Sequence, residues 1–151
     1  MKNIKFTLFF LTIILISCAK KKAEEQATID KQLIENYVED NNLLGQFTST
    51  GLWYSIQTNG TGVQAYNGAT VKVIYAGFLL NGTAFDASEN TGATFSLNNV
   101  IKGWQQGIPK FKEGGKGKLI IPSALGYGTQ AQGSIPKNSV LIFNIELLEV
   151  L

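Results

Sequence analysis

The sequence predicts an α+β fold, in which an antiparallel β-sheet wraps around one short α-helix and an amphipathic helix precedes the sheet. From residue 51 onward, short runs of alternating apolar and polar residues are separated by turn signals such as Asn59-Gly60 and Asn81-Gly82. Within that region, only the stretch from Lys102 to Phe111 has helical spacing, which places Trp104, Ile108 and Phe111 on one side. A single sheet folded over this helix buries the apolar face of both.

Alternation with a period of two identifies the strands. The last predicted strand, Val140 to Leu148, is the clearest, because Asn144 and Glu146 face away from its apolar side. This pattern is typical of an antiparallel sheet with one buried face. Pro109 lacks an N–H group and should weaken the last turn of the short helix. The apolar residues predicted to point inward from the strands are Leu52, Tyr54, Ile56, Val71, Val73, Tyr75, Phe95, Leu97, Leu141, Phe143, Ile145 and Leu147.

A short amphipathic helix is predicted before the sheet. Thr28 or Asp30 is a candidate N-cap, and Asn41-Asn42 and Gly45 should end the helix. The preceding residues, Ala19 to Ala27, are small and polar without apolar periodicity, which is typical of a tether. The apolar residues at helical spacing are Ile29, Leu33, Ile34, Tyr37 and Val38.

The N-terminus has the features of a secretory signal. Lys2 and Lys5 provide a basic start, and the apolar run from Phe6 to Ile16 is too short to span a bilayer comfortably. The run ends in Leu15-Ile16-Ser17-Cys18, which resembles the lipobox of bacterial lipoproteins and implies cleavage before Cys18 and acylation of its sulfur. Two or three acyl chains would suffice for stable anchoring. The alternative is an ordinary cysteine inside an uncleaved anchor helix.

These features divide the chain into four segments. They are a lipoprotein signal peptide (1–17), a tether (18–27), an N-terminal helix with its linker (28–50) and a folded domain (51–151).

Composition excludes several classes of function. All 13 basic residues are Lys, so no bidentate arginine clamp for phosphate exists. Loss of Lys2 and Lys5 with the signal leaves basic and acidic residues in balance, which argues against nucleic-acid binding. Cys18 is the only cysteine, which excludes an intrachain disulfide and a multi-cysteine metal site. We expect no metal and no cofactor.

Four sequence motifs carry a resemblance to a known family. The motifs are Val71 to Leu79 with Phe85-Asp86-Ala87-Ser88, Phe95-Ser96-Leu97 with Val100 to Ile108, Lys116 to Pro122 with Leu125 to Gly128, and Ile135-Pro136 with the last strand. Their order and spacing over Leu52 to Leu151 resemble FKBP-type peptidyl-prolyl cis–trans isomerases. The resemblance implies an FKBP-like sheet wrapped around a short helix, with an aromatic proline pocket between them.

Site residues follow from that resemblance, motif position by motif position. Trp104 is expected as the pocket floor, the Ile101 N–H and the Tyr127 hydroxyl as donors to substrate carbonyls, and Asp86 as the acceptor that holds the Tyr75 ring. Taken alone, an aromatic residue on a sheet face more often belongs to the hydrophobic core than to a binding site. Only the motif context favours the binding site for these residues. The implied catalytic residues are Tyr75, Phe85, Asp86, Trp104, Tyr127 and Phe143, and the implied substrate-binding residues are Phe95, Val100, Ile101 and Ile135.

The expected function is isomerisation of X-Pro bonds in exported proteins during folding. The expected partners are proline-containing protein substrates, macrolide inhibitors, and a membrane that holds the chain through lipidated Cys18. Ala19 does not resemble an inner-membrane retention signal, so the outer membrane is the expected location. The predicted helix has few apolar turns, so a monomer is expected. Two alternatives stay open: a non-catalytic proline-binding module, and an accessory subunit of an envelope assembly.

Overall fold

The computed structural model describes the backbone of residues 4–151 and the side chains of residues 19–151. The signal peptide and the side chain of Cys18, on which the lipidation prediction depends, lie outside the fully described residues. The helices are α1 (Ile4–Asp40) and α2 (Lys102–Gly107), and short 3₁₀ turns cover Leu97–Asn99, Ile108–Lys110 and Ser123–Leu125. The strands are β1 (Gln46–Phe47), β2 (Trp53–Thr58), β3 (Thr70–Leu79), β4 (Ala84–Ala87), β5 (Ala93–Ser96), β6 (Lys116–Ile121) and β7 (Leu141–Val150).

Within residues 4–151, the seven strands form a single antiparallel sheet. The strand order is β1-β2-β6-β7-β3-β4, and β5 pairs with the first half of β3. The two long strands β3 and β7 lie side by side along their whole length, from Val71 opposite Val150 to Leu79 opposite Leu141. The predicted α+β class, with the sheet around one short helix, is confirmed.

The inner face of the sheet packs against α2 as the periodicity predicts. Trp104, Ile108 and Phe111 are buried among strand residues such as Leu119, and Ile145 lies in the same cluster. The helix proper ends at Gly107, and Pro109 lies in the 3₁₀ turn that follows. The missing N–H of Pro109 therefore limits α2 to fewer than two turns.

The outer face of the sheet is also covered: alternation alone indicates one buried face, and the amphipathic helix, predicted to pack on or beside the domain, covers the other. Ile34 of α1 is fully buried in a second cluster with Trp53, Ile120, Val140 and Ile142. The predicted helix face is wrong in part, because Ile29 and Leu33 are 52 % and 40 % exposed while Asp30 is buried. The stripe that docks on the sheet consists of Ile34, Tyr37 and Val38, and Asp30 extends the buried face toward the 3₁₀ turn Ser123–Leu125.

The N-terminal helix is much longer than its apolar pattern indicates. It includes Ala19 to Ala27, for which the sequence predicts a tether without regular structure. Ala, Lys, Glu and Gln are strong helix formers, and Lys20 lies 3.9 Å from Glu24 in an i,i+4 ion pair. Neither Thr28 nor Asp30 caps the helix, because both lie inside it. Within the part of the chain that the structure describes, no helix is long and apolar enough to cross a membrane.

Candidate active site

A cleft opens between α2 and the inner face of the sheet. It has a volume of about 290 Å³, and its base is Trp104, which is only 4 % exposed. Gly103 lets α2 approach the sheet closely, since a Cβ there would collide with Cγ2 of Ile121. The residues that line the cleft are Tyr75, Asp86, Phe95, Asn99, Val100, Ile101, Trp104, Tyr127 and Phe143.

The indole of Trp104 is enclosed on its sides by aromatic rings set edge-on. Its centroid lies 5.1 Å from that of Tyr75, 5.4 Å from Phe95 and 5.3 Å from Phe143, with interplanar angles of 80–88°. Such T-shaped pairs each stabilise by about 0.5–1.5 kcal/mol beyond the area they bury. The rings therefore hold each other in place, and the cleft is a preformed apolar site.

Phe85 joins this cluster through Phe143. Their centroids are 5.5 Å apart at 86°. Both rings lie over Gly77 of β3, where a Cβ would come within 2.7 Å of the Phe85 ring and 3.0 Å of Phe143. A glycine is needed here because any side chain would displace the two rings.

Tyr75 and Asp86 form a polar contact at the edge of the cleft. The Tyr75 hydroxyl donates to Oδ2 of Asp86 at 2.7 Å, which is the hydrogen bond that the motif position predicts. Burial raises the pKa of Tyr75 well above its ordinary value, and the hydrogen bond and negative charge of Asp86 raise this pKa further. The phenol therefore stays protonated and remains a donor across the physiological pH range.

The predicted carbonyl donors come from the two sides of the cleft. The Ile101 carbonyl accepts hydrogen bonds from the N–H groups of Trp104 and Gln105, which starts α2. Within residues 19–151, the N–H of Ile101 itself has no paired acceptor. Tyr127 lies in the loop after β6, is 38 % exposed and also lines the cleft.

The structure brings eight of the ten predicted site residues into the cleft. Phe85 and Ile135 instead line an adjoining cavity of about 220 Å³, which shares Asp86, Tyr127 and Phe143 with the cleft. Both residues therefore lie beside the cleft, next to residues that line it.

The motif reading missed several lining residues. Asn99 borders the cleft, and Gln132, Gly133 and Ser134 border the adjoining cavity. Asn99 directly precedes Val100, which begins part of a motif, and this adjacency could have identified Asn99 as a lining residue.

Polar groups are few in this site. Among the described residues, no group of three His, Cys, Asp or Glu side chains could hold a metal ion. In the same part of the chain, the buried Nε1 of Trp104 has no hydrogen-bond partner. An unpaired buried donor costs folding free energy, so packing of the ring holds the indole in the floor of the cleft.

Comparison with known proteins matches this architecture to a family. Residues 62–148 match the model of a family described as FKBP-type peptidyl-prolyl cis-trans isomerase. The chain belongs to this FKBP family. A relative from Aeromonas hydrophila, named FKBP-type peptidyl-prolyl cis-trans isomerase FkpA, is 42 % identical over 135 residues, which cover 87 % of this chain and 50 % of the relative. The chain thus spans about half the length of the curated relatives that carry this name.

Solved FKBP-type structures share the fold. The crystal structure of FkpA from Escherichia coli matches with a TM-score of 0.72 and 36 % identity, covering 99 % of this chain and 72 % of that one. A peptidyl-prolyl cis-trans isomerase from Pseudomonas syringae pv. tomato matches with a TM-score of 0.73 and 29 % identity, covering 84 % of this chain and 94 % of that one. The family predicted from the four motifs is confirmed.

Proposed function

We propose that this chain is a peptidyl-prolyl cis–trans isomerase that binds the prolyl ring of its substrate over Trp104. The observation that carries the proposal is the preformed cleft above the indole, enclosed by Tyr75, Phe95 and Phe143. Membership of the FKBP family supports the same activity.

The reaction needs little besides such a cleft. Rotation about an X-Pro bond disrupts amide resonance against a barrier of roughly 18–20 kcal/mol, and uncatalysed exchange takes tens to hundreds of seconds. The twisted imide is less dipolar along C–N than the planar one. A water-poor aromatic cleft favours the twisted form over the planar one, and this difference in binding is what lowers the barrier.

Polar groups at the rim orient the peptide. In this proposal the Ile101 N–H and the Tyr127 hydroxyl donate to substrate carbonyls on either side of the prolyl ring. Asp86 acts through Tyr75, whose ring it holds against Trp104 by the 2.7 Å hydrogen bond. A direct electrostatic action of Asp86 on the carbonyl is the competing mechanism.

The proposal includes a location in the cell envelope. The basic start, the apolar run and the Leu15-to-Cys18 box support export and lipidation of Cys18, which would place the domain on the outer membrane among exported proteins. Those proteins are the proposed substrates. Docking of Ile34 and Val38 on the chain's own sheet supports a monomer, which sedimentation of the detergent-solubilised chain would test.

A protease-coupled exchange assay on a proline tetrapeptide tests the activity. The purified chain should accelerate cis-to-trans exchange, and a macrolide that fills the cleft should inhibit this. Macrolide binding without acceleration would establish the non-catalytic binding module instead. Normal behaviour of cleft variants in cells, combined with a defect when α1 is lost, would favour the accessory subunit of an envelope assembly.

A further inference from the structure

Asp30 is a charged side chain in an unusual place. It lies inside α1, yet it is only 1 % exposed. Its Oδ2 accepts hydrogen bonds from the backbone N–H of Ser123 at 2.7 Å and from the Ser123 hydroxyl at 2.6 Å. Its Oδ1 accepts one from the Gln26 side chain at 2.7 Å. Aspartate is seldom fully buried unless its acceptors are satisfied, and here a single distant residue provides two of the three donors.

Ser123 in turn organises the loop that carries Tyr127. The Ser123 carbonyl accepts hydrogen bonds from the N–H groups of Gly126, at 3.0 Å, and Gly128, at 2.8 Å. Those two amides flank Tyr127. Gly128 has a φ of 58° and its carbonyl accepts from the N–H of Asn138 at 2.7 Å, so the chain reverses directly after the tyrosine. One carbonyl therefore holds the backbone on both sides of a cleft residue.

We propose that Asp30 is a positioning residue for Tyr127. Its two hydrogen bonds fix Ser123, Ser123 fixes the Gly126-to-Gly128 turn, and the turn sets the place of the Tyr127 hydroxyl at the cleft. The N-terminal helix thereby contributes to the catalytic site from the far side of the sheet. The catalytic part of this inference rests on the proposed isomerase function.

The chain offers matched variants that separate positioning from helix docking. Asp30→Leu keeps a side chain of similar size and removes both acceptors, whereas Asp30→Asn keeps one carbonyl oxygen for Ser123. Ile34→Ala, one turn further along α1, weakens docking on Trp53 and Ile120 without touching Ser123.

Activity is measured on the purified full-length chain in detergent with the proline tetrapeptide. We expect D30L to lower kcat/KM by about fivefold to tenfold, D30N to recover most of this loss, and I34A to stay within about twofold of wild type. In a Tyr127→Phe background, D30L should add less than about a twofold loss, because the two residues act in series. An equal loss in D30L and I34A, or a full additional loss in the Y127F background, would overturn the proposal.

A second readout decides the inference without any activity. Amide hydrogen exchange at Gly126 and Gly128 should accelerate in D30L but not in I34A, since only D30L releases Ser123. A wild-type chain without isomerase activity would defeat the proposed function alone. Unchanged protection of these two amides in D30L would defeat the positioning role whatever the activity.

Discussion

The hydroxyl of Tyr75 donates a 2.7 Å hydrogen bond to Oδ2 of Asp86, and this contact joins β3 to β4 where the cleft opens. Asp86 pairs across the strands with Gly77, two residues beyond Tyr75. The carboxylate thus holds an aromatic wall of the site from a neighbouring strand.

A double-mutant cycle should show that Asp86 acts through Tyr75. Asp86→Ala and Tyr75→Phe each remove the contact, so each should lower kcat/KM by about threefold to tenfold, which corresponds to the net free energy of one typical hydrogen bond. The double variant should be scarcely slower than either single variant. Circular dichroism should show the fold intact. Additive losses would mean that Asp86 acts directly on the substrate carbonyl.

Removal of the Tyr127 hydroxyl should slow exchange without affecting stability. Tyr127 is 38 % exposed, and Tyr127→Phe leaves the ring in place. The loss of one donor to a substrate carbonyl should lower kcat/KM by about fivefold to thirtyfold. Tyr66→Phe, at a residue that is 56 % exposed and does not line the cleft, is the matched control. Urea denaturation of both variants should match wild type; equal activities of the two would exclude Tyr127 as a donor.

Gly77→Ala should distort the cleft by displacing the aromatic rings that lie over Gly77. Its Cβ would lie 2.7 Å from the Phe85 ring and 3.0 Å from Phe143, so both rings must shift. Overpacking of this kind costs about 1–3 kcal/mol of stability, and macrolide affinity should fall in addition. The control is Gly82→Ala, which strains a residue with a φ of 84° but has no atom within 4 Å of the new Cβ. Macrolide affinity should fall in G77A and not in G82A. A similar fall in both variants would show that general destabilisation, and not displacement of the rings, lowers the affinity.

Glu113 should make stability depend on pH through two backbone hydrogen bonds. Its carboxylate accepts from the N–H groups of Val150 at 2.7 Å and Val63 at 3.1 Å, and these bonds lower its pKa below the ordinary value of 4.5. A carboxyl whose pKa is lower in the folded state stabilises above its unfolded pKa, and this contribution disappears as pH falls through the folded pKa.

The measurement is the urea midpoint of wild type and Glu113→Gln between about pH 3 and pH 7. The difference between the two should be largest above about pH 5 and should shrink toward zero in acid. Glu39→Gln, on the exposed side of α1, should follow the wild-type curve throughout. A constant gap between wild type and E113Q would contradict the assignment.

Lipidation predicts a change in mass and in partitioning. The exported protein should begin at Cys18 and carry acyl chains detectable by mass spectrometry, each CH₂ of which adds roughly 0.8 kcal/mol of membrane affinity. Cys18→Ser should be released from the membrane fraction. A Ser variant that remains equally membrane-bound would instead identify an uncleaved anchor helix.

The sequence predicts the parts of this protein that depend on local periodicity or on contiguous motifs. Trp104 is buried with Ile108 and Phe111, as the helical spacing of the three predicts, although only Trp104 lies within α2. Tyr75 and Phe143 point inward because a strand alternates its side chains. Periodicity alone predicts that these rings are buried. The motifs are needed to distinguish the rings that line the site from those that only fill the core.

Long-range packing is what the sequence does not predict. In α1 the apolar stripe could be centred on Leu33 or on Ile34, and only contact with Trp53 and Ile142 selects the second. The contact between Asp30 and Ser123 joins residues 93 positions apart, so no local pattern contains it. Ile135 depends likewise on the path of a polar loop, which brings it to the cavity that adjoins the cleft.

The continuous helix through Ala19 to Asp30 changes the reach of a lipid-anchored chain. The two ends of a flexible linker sample many separations. In a continuous helix, by contrast, these residues extend about 16 Å along a single axis. If Cys18 is lipidated as proposed, this rigid helix would hold the isomerase domain at a nearly constant distance from the bilayer.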